Sequence, residues 1–425
     1  MAHARPRITD DQRRARLALR HHLAPSARAA TVEEVAASLT ALHGTDPATV
    51  HLAAGARLAP EAAPHGPVPA MERALYEDRT LVRMHGMRHT VFVVPASLAP
   101  VVQSSTTHAV AARERASFLK QVTAGSDLTA DWLAEVERAA LAALERLGEA
   151  TATELAREEP RLRERFTYGP GTSHAQEQTV SSRLLRVLGT EGRVVRSRPL
   201  GGWTSSRFRW AVAPPLPDLP PAEARATLTR RWLATHGPAT EADLTWWTGW
   251  RVTDARKALA AVAAQEVTLD DATTAYVLPA DTDAGADADT DAVTDGDVRA
   301  PDATTPDAPD APDTPATVEP WAALLPALDP TAMGWRGRDW YLDPDHRPAL
   351  FDRSGNIGPT VWWNGRVVGG WAQRPDGEPV WRLLTDPGAE ARAAVEAEAA
   401  RLHTWLHGTR VTPRFRTPLE RELSA

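Results

Sequence analysis

The sequence predicts an α+β fold, with three tandem winged helix-turn-helix units followed by a small C-terminal β-barrel. Three observations predict it. A Thr placed three residues before an acid recurs in Ala30-Thr31-Val32-Glu33-Glu34, Ala150-Thr151-Ala152-Thr153-Glu154 and Ala239-Thr240-Glu241-Ala242-Asp243. A β-like ribbon belongs to each copy. Past residue 320 the texture changes to short alternating apolar runs broken by Gly and Asp.

Each Thr signature marks a helix start, where the Thr oxygen takes the amide three residues on and the acid reaches back; the third copy has the shorter Asp. In the first unit a helix over 31–42 leads to a second over 47–58, with a ribbon at 81–84 and 90–94. In the second and third units an amphipathic helix comes first, at 130–147 and 222–236, closed by Gly148 and Gly237 at the position where helices turn left-handed. After the short capped helix come another helical stretch (175–190; 252–264) and two strands (193–197 with 207–212; 266–269 with 275–278). Helix, short helix, helix and ribbon is the order of a winged helix.

The implied domains are 1–100, a helical connector over 101–128, 129–216, 217–279, a linker over 280–320, and 321–425. The linker is nearly all Asp, Ala, Thr and Pro, too poor in apolar surface to offset chain entropy, and reads as a disordered, charge-extended spacer. Beyond it, 335–342, 360–363, 367–373 and 380–384 read as strands, with Asn364-Gly365 as a tight hairpin turn, and a helix follows over 389–406.

Composition excludes several classes. At 43% hydrophobic and 24% charged, the 425 residues are not globally disordered. With no Cys, disulfides and thiolate zinc sites are excluded. No leader and no run of about 18 apolar residues is present, so the expectation is a cytoplasmic, membrane-free monomer. Residues 281–313 hold eleven Asp and one Arg; removing that −10 from the total of −7 leaves +3, which fits nucleic-acid, substrate or protein partners equally. All but Lys120 and Lys257 of the 48 basic residues are Arg, the codon bias of a GC-rich genome.

Where Arg clusters is more informative. Arg186, Arg193, Arg196, Arg198, Arg207 and Arg209 fall on the third helix and ribbon of the second unit, around a Gly201-Gly202-Trp203 turn. The pairs 196/198 and 207/209 each share a strand face, suited to gripping phosphates or entering a minor groove; the alternative is a solvated polar face. Arg57, Arg83, Arg88 and His89 are further candidates in the first unit. The 15 Trp exceed four Tyr and six Phe; Trp246 and Trp247 are expected inside the third unit, and Trp362 and Trp371 inside the barrel.

Five segments then carry a resemblance: Leu42-His43-Gly44-Thr45-Asp46-Pro47; residues 75–83 (LYEDRTLVR) with Met87-Arg88-His89-Thr90; 242–249 (ADLTWWTG); 324–330 (LLPALDP); and 358–361 (GPTV) with 365–371 (GRVVGGW). In this order, over nearly the whole chain, the sequence resembles the AlkZ/YcaQ-type winged-helix DNA glycosylases. The resemblance implies a cofactor-independent, metal-free, monofunctional DNA glycosylase that removes alkylated, N7-substituted purines from duplex DNA in repair or genotoxin resistance. Family enzymes carry Gln-x-Gln or Gln-x-Asp where this chain has His43 and Thr45.

An N7-alkylated purine is already cationic and leaves neutral, so no strong acid is required. His43 donates, accepts and titrates near neutrality, and so can hold or deprotonate a water that Thr45 orients. Asp46 is the nearest carboxylate to offset an oxocarbenium sugar, or else simply the N-cap before Pro47. His43 is otherwise a turn residue at the end of helix 31–42. Lys120 and Lys257 both lie in predicted helices away from the motif, which argues against a Schiff-base lyase step. The other functional class is a non-catalytic winged-helix DNA-binding protein, a regulator or a lesion binder.

Overall fold

A computed structural model describes residues 5–169, 171–172, 175–283 and 318–425. Most of the acidic spacer lies outside the described residues. At its near end, Ala280–Asp283 is ordered, because Asp281 pairs with Arg20.

The first unit opens with α1 (Asp10–Arg20), capped by Thr9, whose side chain accepts from the Gln12 amide. Next is α2 (Val32–Ser38), capped by Thr31 through the Glu34 amide. This helix stops at Ser38, short of the expected residue 42, because Thr40 is left-handed and Leu42–His43 extends as strand β1. The order continues with α3 (Pro47–Gly55), α4 (Val68–Tyr76), β2 (Leu81–His85) and β3 (Val91–Pro95). The antiparallel sheet has the order β1-β3-β2, which sets both His43 and Met84 opposite Phe92.

The connector is α5 (Ala99–Val102), a π-helical turn over Gln103–Thr107 and α6 (His108–Gly125). The second unit then has α7 (Ala130–Leu147), closed by Gly148 at φ 72°, and α8 (Ala152–Glu158), where Thr151 and Glu154 complete the reciprocal cap. The helix expected over 175–190 begins only at Val180, as α9 (Val180–Thr190). The residues before it form a hairpin of β4 (Arg165–Tyr168) with β5 (Gln176–Thr179) that the sequence did not signal. The ribbon pairs β6 (Val194–Pro199) with β7 (Phe208–Val212).

In the third unit, α10 (Pro221–His236) leads to α11 (Glu241–Thr248), capped by Thr240 with Asp243, then α12 (Val252–Ala261) and the pair β8 (Gln265–Thr268) with β9 (Thr274–Val277). Gly237 has φ −69° and not the expected left-handed turn. After α13 (Ala280–Asp283) the described chain resumes at Val318.

The expected C-terminal β-barrel does not form. Its elements are β10 (Ala322–Leu325), α14 (Arg347–Leu350), β11 (Thr360–Trp363), β12 (Arg366–Gln373), β13 (Pro379–Leu383), α15 (Ala389–Leu406) and α16 (Pro418–Leu423). The four strands make an open antiparallel sheet in the order β10-β11-β12-β13, and the first and last strands do not pair. Four short strands cannot curl round a core of side chains, so helices supply the second layer: α15 lies against β10, β11 and β13, and α16 against β12. The run expected as a strand over 335–342 is a series of turns that buries Trp335, Trp340 and Tyr341, and β10 takes its place in the sheet.

The core falls into several clusters, among them one of the first unit around Val35, Leu39 and Met71 and one between the C-terminal sheet and α15 around Val361, Trp371 and Val395. Leu133, Val136, Phe166 and Leu184 of the second unit form another, joined by Phe118 of the connector helix α6. The first unit, third unit and C-terminal sheet instead share one cluster that includes Phe92, Trp232, Trp247, Trp335 and Trp362. The three winged-helix segments are therefore not beads on a string, and the C-terminal part is built into the first and third.

Candidate nucleic-acid interface and active site

The Leu42-to-Pro47 segment is fixed at the Gly44 peptide and by the Asp46 side chain. The Gly44 N–H donates to Val91 O at 2.8 Å, and Arg83 Nη1 donates to Gly44 O at 2.8 Å. Asp46 Oδ1 accepts from the Ala48 amide at 3.1 Å and caps α3, while Oδ2 accepts from the Arg414 amide at 2.9 Å. Both Asp46 oxygens thus hold backbone, and the residue fastens the 413–415 segment to the turn.

His43 is 6% exposed, with its ring edge-on to Phe92 at 5.3 Å. Its Nδ1 is shielded from solvent and has no hydrogen-bond partner among the described residues. Burial, reinforced by the Arg88 charge, pushes its pKa down to about 3. The expectation that His43 titrates near neutrality is corrected accordingly: above pH 5 it is a neutral imidazole, and a poor base. Thr45 beside it is half-buried.

These two residues line a cavity of about 610 Å³ walled by Arg88, Arg186, Arg196, Arg338 and Arg414, with Trp246 and Phe415 as its apolar surfaces. A second cavity of about 630 Å³ shares Thr45, Arg196 and Arg414 with the first and runs along the ribbon past Arg207 and Phe208. Among the described residues lining the His43 cavity there is no Asp or Glu. Burial and then the Arg338 charge push Arg88 down to about 10; burial and then Arg83, Arg414 and Arg186 do the same to Arg196. Five guanidinium groups held together without a counter-charge favour an anion between them.

The other cationic candidates fare differently. Arg57 is fully buried, bidentate to Asp329 at 2.6 and 2.9 Å and bonded to His21 O at 3.0 Å; it belongs to the core and is out of reach of a nucleic acid. Arg83 is buried as well. On the ribbon, period two does not predict availability. Arg198 pairs with Glu72 and Glu77 at 2.8 and 3.0 Å, Arg209 with Glu149 at 3.1 Å, and Arg193 with Glu137. Arg196 and Arg207 face the groove. Trp203 at the ribbon tip packs on His51 at 5.1 Å and Trp405 at 6.2 Å, so the ribbon arches across to α3 and α15.

Several lining residues escaped the sequence reading. Arg338 and Arg414 come from turns in the C-terminal part, where only their sign was visible. His85 follows Arg83 and Met84 on the same strand. Trp246, expected in the core beside Trp247, is half-buried and lies in the cavity wall, with Arg88 and Arg338 over its ring at 4.1 and 5.0 Å. Among the described residues no group of three His, Asp or Glu is placed to hold a metal, and no helix is long and apolar enough to cross a membrane.

Comparison with known proteins gives a consistent result. The family model described as DNA glycosylase AlkZ-like matches residues 36–405. Among solved structures, Streptomyces sahachiroi DNA glycosylase AlkZ shares the fold, with a TM-score of 0.66 and 21% identity over 96% of this chain and 99% of that one. No curated protein matches the sequence.

Proposed function

We propose that this chain, which belongs to the AlkZ-like DNA glycosylase family, is a monofunctional glycosylase that hydrolyses the N-glycosidic bond of alkylated, N7-substituted purines in duplex DNA. The observation that carries this reading is the placement of a neutral His43 and a half-buried Thr45 on a cavity walled by Arg88, Arg186, Arg196, Arg338 and Arg414. Such a wall binds the phosphates on either side of a displaced nucleotide.

The chemistry asks little of the protein. When the C1′–N9 bond breaks, both electrons go to N9 and cancel the charge of the alkylated ring, so the base departs neutral. The sugar is left as an oxocarbenium ion. With no carboxylate lining the cavity among the described residues, the anionic field at C1′ comes from the DNA phosphates, which the guanidinium groups hold in place. Water adds to C1′ and loses its proton to solvent. His43 and Thr45 hold that water by hydrogen bonds and do not accept its proton as a strong base would. Asp46 supports the site as cap and tether.

The missing carboxylate also favours a second reading, a protein that binds lesions without cutting. The two are separated by incubating purified protein with duplex DNA containing N7-methylguanine, without added cofactor, and following free base. Release that depends on His43 supports the glycosylase; binding of the same duplex with no release supports the second reading.

A further inference from the structure

Arg83 was a phosphate-binding candidate by sequence, yet its side chain is 3% exposed and turned inward. It sits on β2 opposite Val93 of the central strand, and Val93 pairs on its other side with Leu42 of β1. From there the guanidinium reaches across the sheet to donate to Gly44 O at 2.8 Å, the carbonyl between His43 and Thr45. The fit is close: a Cβ on Gly44 would stand 3.3 Å from Arg83 Nη1 and 3.3 Å from the Phe92 carbonyl carbon. The same guanidinium lies over the Phe208 ring of β7 at 5.0 Å, and Arg196 lies over that ring at 5.4 Å. Among the described residues no carboxylate hydrogen-bonds to Arg83; its further side-chain partner is the Tyr76 hydroxyl, Asp46 adds a favourable charge nearby, and its Nε is buried without a partner. A guanidinium buried without a carboxylate bonded to it is costly even with these partners, and an apolar side chain would pack there at less cost. What an apolar residue lacks is a planar donor able to touch the turn and the ribbon together.

We infer that Arg83 is a positioning residue: it sets the Gly44 peptide, and so the spacing of His43 and Thr45, and couples that geometry to the DNA-facing ribbon through Phe208. This rests on the proposal above that the turn carries the chemistry. Because a misplacement of about 1 Å costs on the order of 10²-fold in rate, the effect belongs to turnover and not to affinity.

The test compares Arg83→Met, Arg83→Lys and Phe208→Leu with the wild type, in full-length protein. In Arg83→Met, base release under single-turnover conditions at saturating protein should fall about 10²-fold, while Kd for undamaged duplex stays within about twofold. Amide exchange at Gly44, whose N–H bonds to Val91 O, should quicken about tenfold. Arg83→Lys should recover part of the rate, because an ammonium reaches the Gly44 carbonyl but has no planar face for Phe208, and Phe208→Leu should lie between. A weakened Kd with a smaller salt slope and an unchanged single-turnover rate would make Arg83 a phosphate contact and overturn the inference. If the wild type releases no base, the glycosylase proposal fails, and exchange decides about Arg83: unchanged Gly44 exchange in Arg83→Met overturns it, and quickened exchange upholds the positioning role.

Discussion

Acidification should unfold the shared core at a pH where most carboxylates are still ionised. His43, His51, His85 and His236 are buried, and burial pushes each of their pKa values down to about 3; His21 is lowered well below its ordinary value by the same cause. His236 shows how completely water is excluded. It stacks on Trp232 at 5.5 Å, meets Trp335 at 5.0 Å, and both of its ring nitrogens are buried. In the unfolded chain these rings titrate near 6.5.

Below that pH the unfolded state binds protons that the native state refuses, so stability falls as pH falls from about 6.5 towards 3 and is level above about 7. At pH 5 the gap is about 1.5 pH units for each ring, or about 2 kcal/mol. For the four rings together this is about 8 kcal/mol, comparable with the whole stability of a typical domain. Trp fluorescence reads this core directly, through Trp232, Trp247 and Trp335. Urea midpoints followed by Trp emission should be constant from pH 7 to 8 and drop steeply between 6 and 5. In His236→Leu the slope of stability with pH near pH 5 should shrink by about one proton. Equal midpoints at pH 7 and pH 5 would mean that the rings are solvated, and would refute the neutral assignment of His43 along with the rest.

Three other predictions concern single sites. His43→Ala should lower base release from N7-methylguanine duplex by about 10²-fold with DNA affinity preserved, and wild-type release should be flat from pH 6.5 to 8; a rise through pH 6–7 would restore His43 as a titrating base. Asp329→Ala should cost about 3–5 kcal/mol by thermal or urea unfolding, because it leaves the Arg57 charge buried and unpaired, and the protein that stays folded should bind DNA normally. Arg196→Ala and Arg207→Ala should each weaken duplex binding and reduce its salt slope by about 1, whereas Arg198→Ala and Arg209→Ala, already paired with acids, should change the slope little; equal effects at all four positions would show that the ribbon presents both faces to DNA.

What was legible in the residues alone is local. Thr31, Thr151 and Thr240 start helices because a cap needs only a side-chain oxygen and the amide three residues on, and all three caps are present. The Asn364-Gly365 turn joins two paired strands for the same reason. A motif spread along the chain was enough to suggest the family.

Tertiary structure decided what depends on distant partners. A run of Trp and Tyr over 335–342 has the composition of a strand, but burial against the third unit made it turns, and Ala322–Leu325 took the sheet position. Period two put Arg196 and Arg198 on one face, yet Arg198 meets Glu72, 126 residues away, while Arg196 lies over the Phe208 and Trp210 rings in the groove. Arg57 finds Asp329 across 272 residues and becomes core. The protonation of His43 was decided in the same way, by the strand β3 that buries it and by Arg88, brought close by the sheet. Backbone capping is a short-range bond that a few residues specify; whether a charge or an imidazole meets water, an acid or a ring depends on which remote segment the fold sets beside it.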